Sequence, residues 1–297
     1  MEKTNNNILA TNTVLKGEYE VKSYMGTDGL MNLYHGEELE TKKKIKIYES
    51  FPWYMVSRGK DGVTVVPEQF LETMYPEVIE RGKKNVEYMK YFQEENIVFE
   101  IKDYFEENNT YYIIAEDMEV ISLKELLEEE KETYFSLEET MEMLDPIMNF
   151  LEKLHQKQLI HREITPGNIY INKNTNKAFL ANFYTVRDFS NTDATVYITA
   201  GYTPLEQHSK HDKQGPWTDV YSLCAVIYEC VTGQKMQNVV DRLVEESTLT
   251  ISPSITNISE SQKEILLQGL AIKPEDRISS VRELKEKLMR IKTMHMM

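Results

Sequence analysis

One stretch of the chain concentrates side chains able to do chemistry: Leu159-Ile160-His161-Arg162-Glu163-Ile164-Thr165-Pro166-Gly167-Asn168-Ile169, followed fourteen residues after Asn168 by Asn182-Phe183-Tyr184. Glu163 brings a carboxylate that can take a proton. Asn168 and Asn182 bring amide oxygens, which are neutral, whereas magnesium usually leans on one or two carboxylates together with phosphate oxygens. His35, His155, His208, His211 and His295 show no metal-ligand spacing, and no metal site is expected.

The elements that must position these groups change character along the chain. Tyr19 to Tyr24, Asn32 to Glu37 and Lys44 to Ser50 read as short strands separated by Gly and charged turns. Ile45 and Ile47 alternate with Lys44, Lys46 and Tyr48, the period-2 pattern of a half-buried strand. The spacing predicts a helix over 74–92 and a hairpin of Ile97 to Phe105 with Tyr111 to Ala115 around Glu106-Glu107-Asn108-Asn109. From Ser122 the pattern turns helical. Ser136 with Glu139 three residues on is a capping box. Leu137, Met141, Leu144, Met148, Leu151 and Leu154 then mark one buried face. Further helices are expected over 219–232, stopping at Gly233, and over 264–270 and 281–289. The Glu-rich run between Glu119 and Glu142 reads as a solvated helix surface.

Bulk properties exclude several classes of function. A net charge of −15 argues against nucleic-acid and anionic-membrane partners. Cys224 and Cys230, six apart in an apolar helical stretch, read as reduced core thiols, which implies a cytoplasmic protein. Met1 to Ala10 is Asn-rich without the apolar run of a secretory signal. No stretch approaches the roughly 18 to 20 apolar residues a spanning helix needs.

Several further motifs fall in a consistent order. Gly201-Tyr202-Thr203-Pro204-Leu205-Glu206-Gln207 resembles the end of a kinase activation segment, and Trp217-Thr218-Asp219-Val220-Tyr221-Ser222-Leu223 the start of a central buried helix. Arg277 resembles, by its position, the late arginine of kinases that pairs with the glutamate here at 206. With the His161 to Asn168 loop and the Asn182-Phe183-Tyr184 turn, the chain resembles the bacterial, eukaryote-like Ser/Thr protein kinases from about Val14 to Leu288. The resemblance implies an α+β, bilobal protein-kinase-like fold with a small, mainly β N-lobe and a larger helical C-lobe. Residues 1–13 are then a flexible N-terminus, 14–118 the N-lobe, 119–290 the C-lobe and 291–297 a C-terminal tail.

The same resemblance assigns roles, and the chain departs from many of them. Where kinases carry aspartates as base and principal metal ligand, Glu163 and Asn182 stand; Asn168 matches the second metal ligand. Glu163 is one methylene longer, and misplacement on that scale can cost about a hundredfold. Tyr184 replaces a glycine of the turn. Of the Gly-rich loop, Met25 to Tyr34, only Gly26 matches, with Asp28 and Met31 at the other two glycine positions. Strand three admits two registers: ungapped counting puts Tyr48 at the phosphate-binding lysine and Lys46 at the small residue under adenine, and a two-residue shift puts Lys46 at the lysine. The partner glutamate falls on Asn85, or on Glu87 if the helix shifts. Ala115 falls at the gatekeeper and Glu116 to Met118 at the hinge. Met89, Ile101, His161 and Phe183 match a stacked spine, which makes His161 a packed core histidine.

Scaffold retained and chemistry lost is the pattern of a pseudokinase. The expected function is protein binding and regulation in signalling, with an active kinase or its substrate as partner and little or no catalysis. No cofactor is expected; ATP would bind weakly at most through Gly26, Lys46, Tyr48, Glu116 and Met118, and Mg2+ not. The alternatives are a weak ATP-dependent Ser/Thr kinase using Glu163 and Lys46, and a nucleotide- or metabolite-binding switch without turnover. Thr185, Ser190, Thr192, Thr195 and Thr199 are candidate phosphorylation sites whose phosphate could pair with Arg162.

Overall fold

A computed structural model of the chain describes residues 7–93, 100–129, 135–190, 196–245, 249–252, 254–255 and 257–294, without the side chains of 290–294. Asn96-Ile97-Val98, Thr192, Thr195 and His295, on which some expectations rest, lie outside the described residues. The chain divides into two compact units, Met1–Met118 and Glu119–Met297.

The first unit is built on β1 (Val14–Leu15), β2 (Tyr19–Thr27), β3 (Met31–Glu38), β4 (Lys44–Ser50), β5 (Val56–Arg58), β6 (Val65–Pro67), α1 (Tyr75–Gln93), β7 (Ile101–Glu107) and β8 (Thr110–Glu116). Six strands form one antiparallel sheet in the order β1-β2-β3-β4-β8-β7. Period-2 alternation places Ile45 and Ile47 in the core with Leu15, Tyr34, Tyr112 and Ile114. Lys44, Lys46 and Tyr48 therefore share the opposite face. Asn108 and Asn109 close the β7–β8 hairpin with φ of 54° and 60°, the left-handed pair a two-residue turn of this hand requires.

Two features of this unit carried little sequence signal. Residues 7–13, expected as part of a flexible terminus, pack on the sheet. Leu9 is buried, its N–H donates to Tyr34 Oη at 3.1 Å, and Asn12 N–H donates to Val21 O at 2.8 Å. Between β4 and α1, the β5–β6 hairpin closes over a small core of Phe51, Met55, Val56, Val65 and Tyr75. Arg58 anchors it through a two-pronged ion pair with Glu49, 2.6 and 2.7 Å. Tyr34, Tyr112 and Asn32 also donate to that fully buried carboxylate.

The second unit contains β9 (Val120–Ser122), α2 (Leu123–Glu129), α3 (Leu137–Gln156), β10 (Leu159–Ile160), β11 (Ile169–Asn172), β12 (Ala178–Leu180), β13 (Arg187–Asp188), α4 (Pro216–Thr232), α5 (Val239–Val244), α6 (Glu260–Gly269) and α7 (Val281–Met294). The capping box forms as the sequence predicts: Ser136 Oγ accepts from Glu139 N–H and Glu139 answers to Ser136 N–H. All six apolar residues read onto the buried face of α3 are buried. α4 runs from Pro216 and ends where Gly233 takes φ 67°. Cys224 and Cys230 lie inside it as free, fully buried thiols, their ionisation pushed upward by burial. Glu206 and Arg277 meet at 2.7 Å in the buried ion pair expected of them. The short β9–β11–β12 and β10–β13 pairings and α5 were not foreseen. Among the described residues no helix is long and apolar enough to cross a membrane. A mainly β first unit and a helical second unit make the α+β class that the sequence implied.

Candidate functional site

The 161–168 loop hangs between β10, which ends at Ile160, and β11, which begins at Ile169. Asp219, at the start of α4, fixes its backbone. The carboxylate accepts from His161 N–H and Arg162 N–H, both at 2.8 Å, and contacts His155 Nε2 at 2.8 Å. Burial alone would raise this carboxyl, but His155 and the backbone donors outweigh it and hold it below the usual carboxylate range. His161 is fully buried, and that burial lowers its pKa to about 4 against the opposing charge of Asp219. Its ring meets Phe183 edge-on at 5.5 Å, and Phe183 meets Phe150 at 5.6 Å. His161 is thus a neutral packing residue, as read from the sequence. In the first unit Met89 and Ile101 are likewise buried.

Glu163, Asn168 and Asn182 are brought together. Asn168 Nδ2 donates to Glu163 O at 3.0 Å, and Ala181 N–H donates to Asn168 O at 2.8 Å. Asn182, in the left-handed region at φ 63°, donates from Nδ2 to Glu163 Oε2 at 2.8 Å. The amide of one residue thereby ties down the carboxylate of the other. Asn182 Oδ1 is buried and finds no hydrogen-bond partner among the described residues.

Arg162 is buried, and burial, then the charge of Arg187, lowers its pKa to about 10. Its guanidinium lies 5.9 Å from the Tyr197 ring. Of the candidate phosphorylation sites, Thr185 is buried with its hydroxyl donating to His161 O at 2.8 Å, whereas Ser190 is exposed. Thr185 cannot receive a phosphate without breaking that packing.

In the first unit the turn between β2 and β3 satisfies its own amides. Asp28 Oδ1 accepts from Leu30 N–H at 2.8 Å and Met31 N–H at 2.7 Å, and Thr27 Oγ1 accepts from Gly29 N–H at 2.9 Å. Gly29 takes φ 92°, which a side chain would resist. Gly26 sits at a bulge of β2 beside it. Sequence reasoning placed Asp28 at a glycine position of the loop and missed its capping role; the Asp28-Gly29 pair was the available signal.

Lys46 pairs with Ala115 across β4 and β8, and Tyr48 with Ile113. Lys46 Nζ reaches the chain just beyond β8, donating to Met118 O at 3.1 Å with Asp117 Oδ1 at 3.9 Å. Burial lowers its pKa, Asp117 opposing. Glu116 N–H is bonded to Glu100 O and Met118 N–H to Glu116 O, each at 3.1 Å. Asn85, on α1, is buried with Nδ2 unpartnered among the described residues.

Comparison with known proteins gives this geometry its context. The family model described as protein kinase domain matches residues 71–289. The serine/threonine-protein kinase PknA of Nostoc sp. is 26% identical over 62% of this chain and 34% of its own length. PknB of Mycobacterium tuberculosis H37Rv is 27% identical over 61% of this chain and 30% of its own length. The human serine/threonine-protein kinase Nek5 is 26% identical over 72% of this chain and 31% of its own length. The chain therefore spans about a third of the length of these curated relatives. Among solved structures, one described as "PpkA-294 apo form" superimposes with a TM-score of 0.76 at 23% identity, covering 95% of this chain and 99% of the other. The PknI kinase domain of Mycobacterium tuberculosis does so with a TM-score of 0.63 at 16% identity, covering 95% and 99%.

Proposed function

The chain belongs to the protein kinase domain family, and we propose that within it this protein is a pseudokinase, acting by binding another protein and not by transferring phosphate. The observation that carries this reading is the Asn182 to Glu163 hydrogen bond of 2.8 Å. The residue at the base position is engaged by the residue at the metal position, and that second residue offers a neutral amide where magnesium leans on carboxylate.

The rest of the phosphate-handling apparatus argues the same way. Amides that would approach a polyanion are satisfied by Thr27 and Asp28, and Asp28 adds negative charge there. Lys46 is committed to Met118 O, which disfavours the reading of a weak kinase that uses Lys46 on the phosphates. The residues present do not fit magnesium and ATP, and we assign neither. The partner is an active kinase or a substrate of one, in the cytoplasm. Calorimetric titration with Mg2+ and ATP, paired with an autophosphorylation assay, tests the proposal. No binding heat and no incorporation are expected; stoichiometric incorporation that disappears in Glu163→Ala would overturn it.

A further inference from the structure

The connection from Ser50 to Tyr75 is far longer than a strand-to-helix link requires, and it carries a hairpin of its own. It is also firmly built. The β5–β6 hairpin sits on its own apolar core, and Val65 N–H donates to Asn108 O at 2.9 Å. Asn109 Nδ2 returns a bond to Val65 O at 2.8 Å, and Arg58 is tied to buried Glu49. The segment after the hairpin is wound by bonds from Leu71 N–H to Glu68 O and from Tyr75 N–H to Leu71 O.

On this rigid support stand large apolar side chains that the fold does not use. Phe70 is 91% exposed and Met74, four residues on in the turns that lead into α1, is 53% exposed. Tyr54, 67% exposed, neighbours Met55, whose carbonyl takes the Glu68 N–H. Leu71, by contrast, packs inward against the hairpin core. Along the sequence, between Lys60 and Arg81, the charged residues are all acids: Asp61, Glu68, Glu72, Glu77 and Glu80.

We propose that Phe70 and Met74, framed by Glu68 and Glu72, form a docking ridge for a partner protein segment that presents apolar side chains flanked by Lys or Arg. The charge pattern selects this occupant. A two-fold contact with a second copy would oppose Glu68 and Glu72 to themselves, and a basic partner removes that repulsion. A preorganised support and an aromatic anchor are the features that concentrate binding energy in few residues. The ridge rests on the reading that this protein works through protein partners, and it supplies that reading with a surface and a partner chemistry.

The test pans the 297-residue chain against a phage-displayed random peptide library, then measures enriched synthetic peptides by fluorescence anisotropy. Peptides with aliphatic or aromatic residues between Lys or Arg are expected. Phe70→Ala, and separately Glu68→Lys with Glu72→Lys, should weaken them about tenfold or more. These side chains are exposed, and unchanged melting curves will show the variants folded. Lack of enrichment, acidic consensus peptides, or variants that bind like the wild type would overturn the proposal. So would a dimer by light scattering that Phe70→Ala dissociates. No readout involves phosphate transfer, so an active enzyme would defeat the pseudokinase reading without touching this result.

Discussion

Asn182 gives an amide hydrogen to Glu163 across 2.8 Å, so the two side chains that the family layout assigns to metal and proton are bonded to each other. Replacing Asn182 with Asp removes the donor and sets two carboxylates face to face, which raises the pKa of one of them. Asn182→Asp should lose about 1 to 2 kcal/mol of stability near pH 8. Millimolar Mg2+ should restore part of that loss while leaving wild-type melting unchanged. Differential scanning calorimetry checks both, and a wild-type response to Mg2+ would defeat the expectation.

Lys46 holds the Met118 carbonyl at 3.1 Å. Lys46→Ala should cost about 1 kcal/mol, the scale of one hydrogen bond, and free that carbonyl. The variant should then gain adenosine binding by calorimetry where the wild type has none. A folded Lys46→Ala protein indifferent to adenosine would show that Lys46 is not what excludes the base.

Asp219 accepts from two backbone N–H groups of the loop. In Asp219→Ala both donors are left buried and unmatched, at about 1 to 3 kcal/mol each, so the total loss should be about 3 kcal/mol. Urea denaturation should show a lower midpoint with an unchanged slope. Asp219→Asn keeps one acceptor and should lose less.

His161 fixes a pH window. Its pKa is about 4 in the folded chain, below the unperturbed value of about 6.5. The unfolded chain therefore binds more protons between those values, and stability should fall as pH drops from about 6.5 through 4. His161→Phe, an apolar ring against Phe183, should flatten this dependence in urea melts between pH 7 and about 4.5. Asp219 contributes only at lower pH, because its carboxyl is held below the usual range. An equally steep profile in the variant would remove His161 from the account.

The β4 pattern was legible because Ile45 and Ile47 alternate strictly with polar neighbours, and α3 because its apolar residues recur at helical spacing behind a capping box. The late ion pair of Glu206 and Arg277 followed from the resemblance to the kinase family. What escaped lacks periodicity. Leu9 lies in a run of only three apolar residues, Ile8-Leu9-Ala10, among asparagines and threonines, yet Leu9 and Ile8 pack residues 7–13 onto the sheet core. The hairpin of β5 and β6 has strands of three residues each, too short to show alternation. Side-chain direction escaped as well. Both registers of strand three put Lys46 on the same face, and only the contact with Met118 O gives its destination.

The placement of the thiols has a practical corollary. The chain holds two cysteines, both inside α4 at 0% exposure. A maleimide cannot reach either one while α4 stays packed. Alkylation rate is therefore a clock for opening of the helical unit alone, and a partner that clamps this unit would slow it.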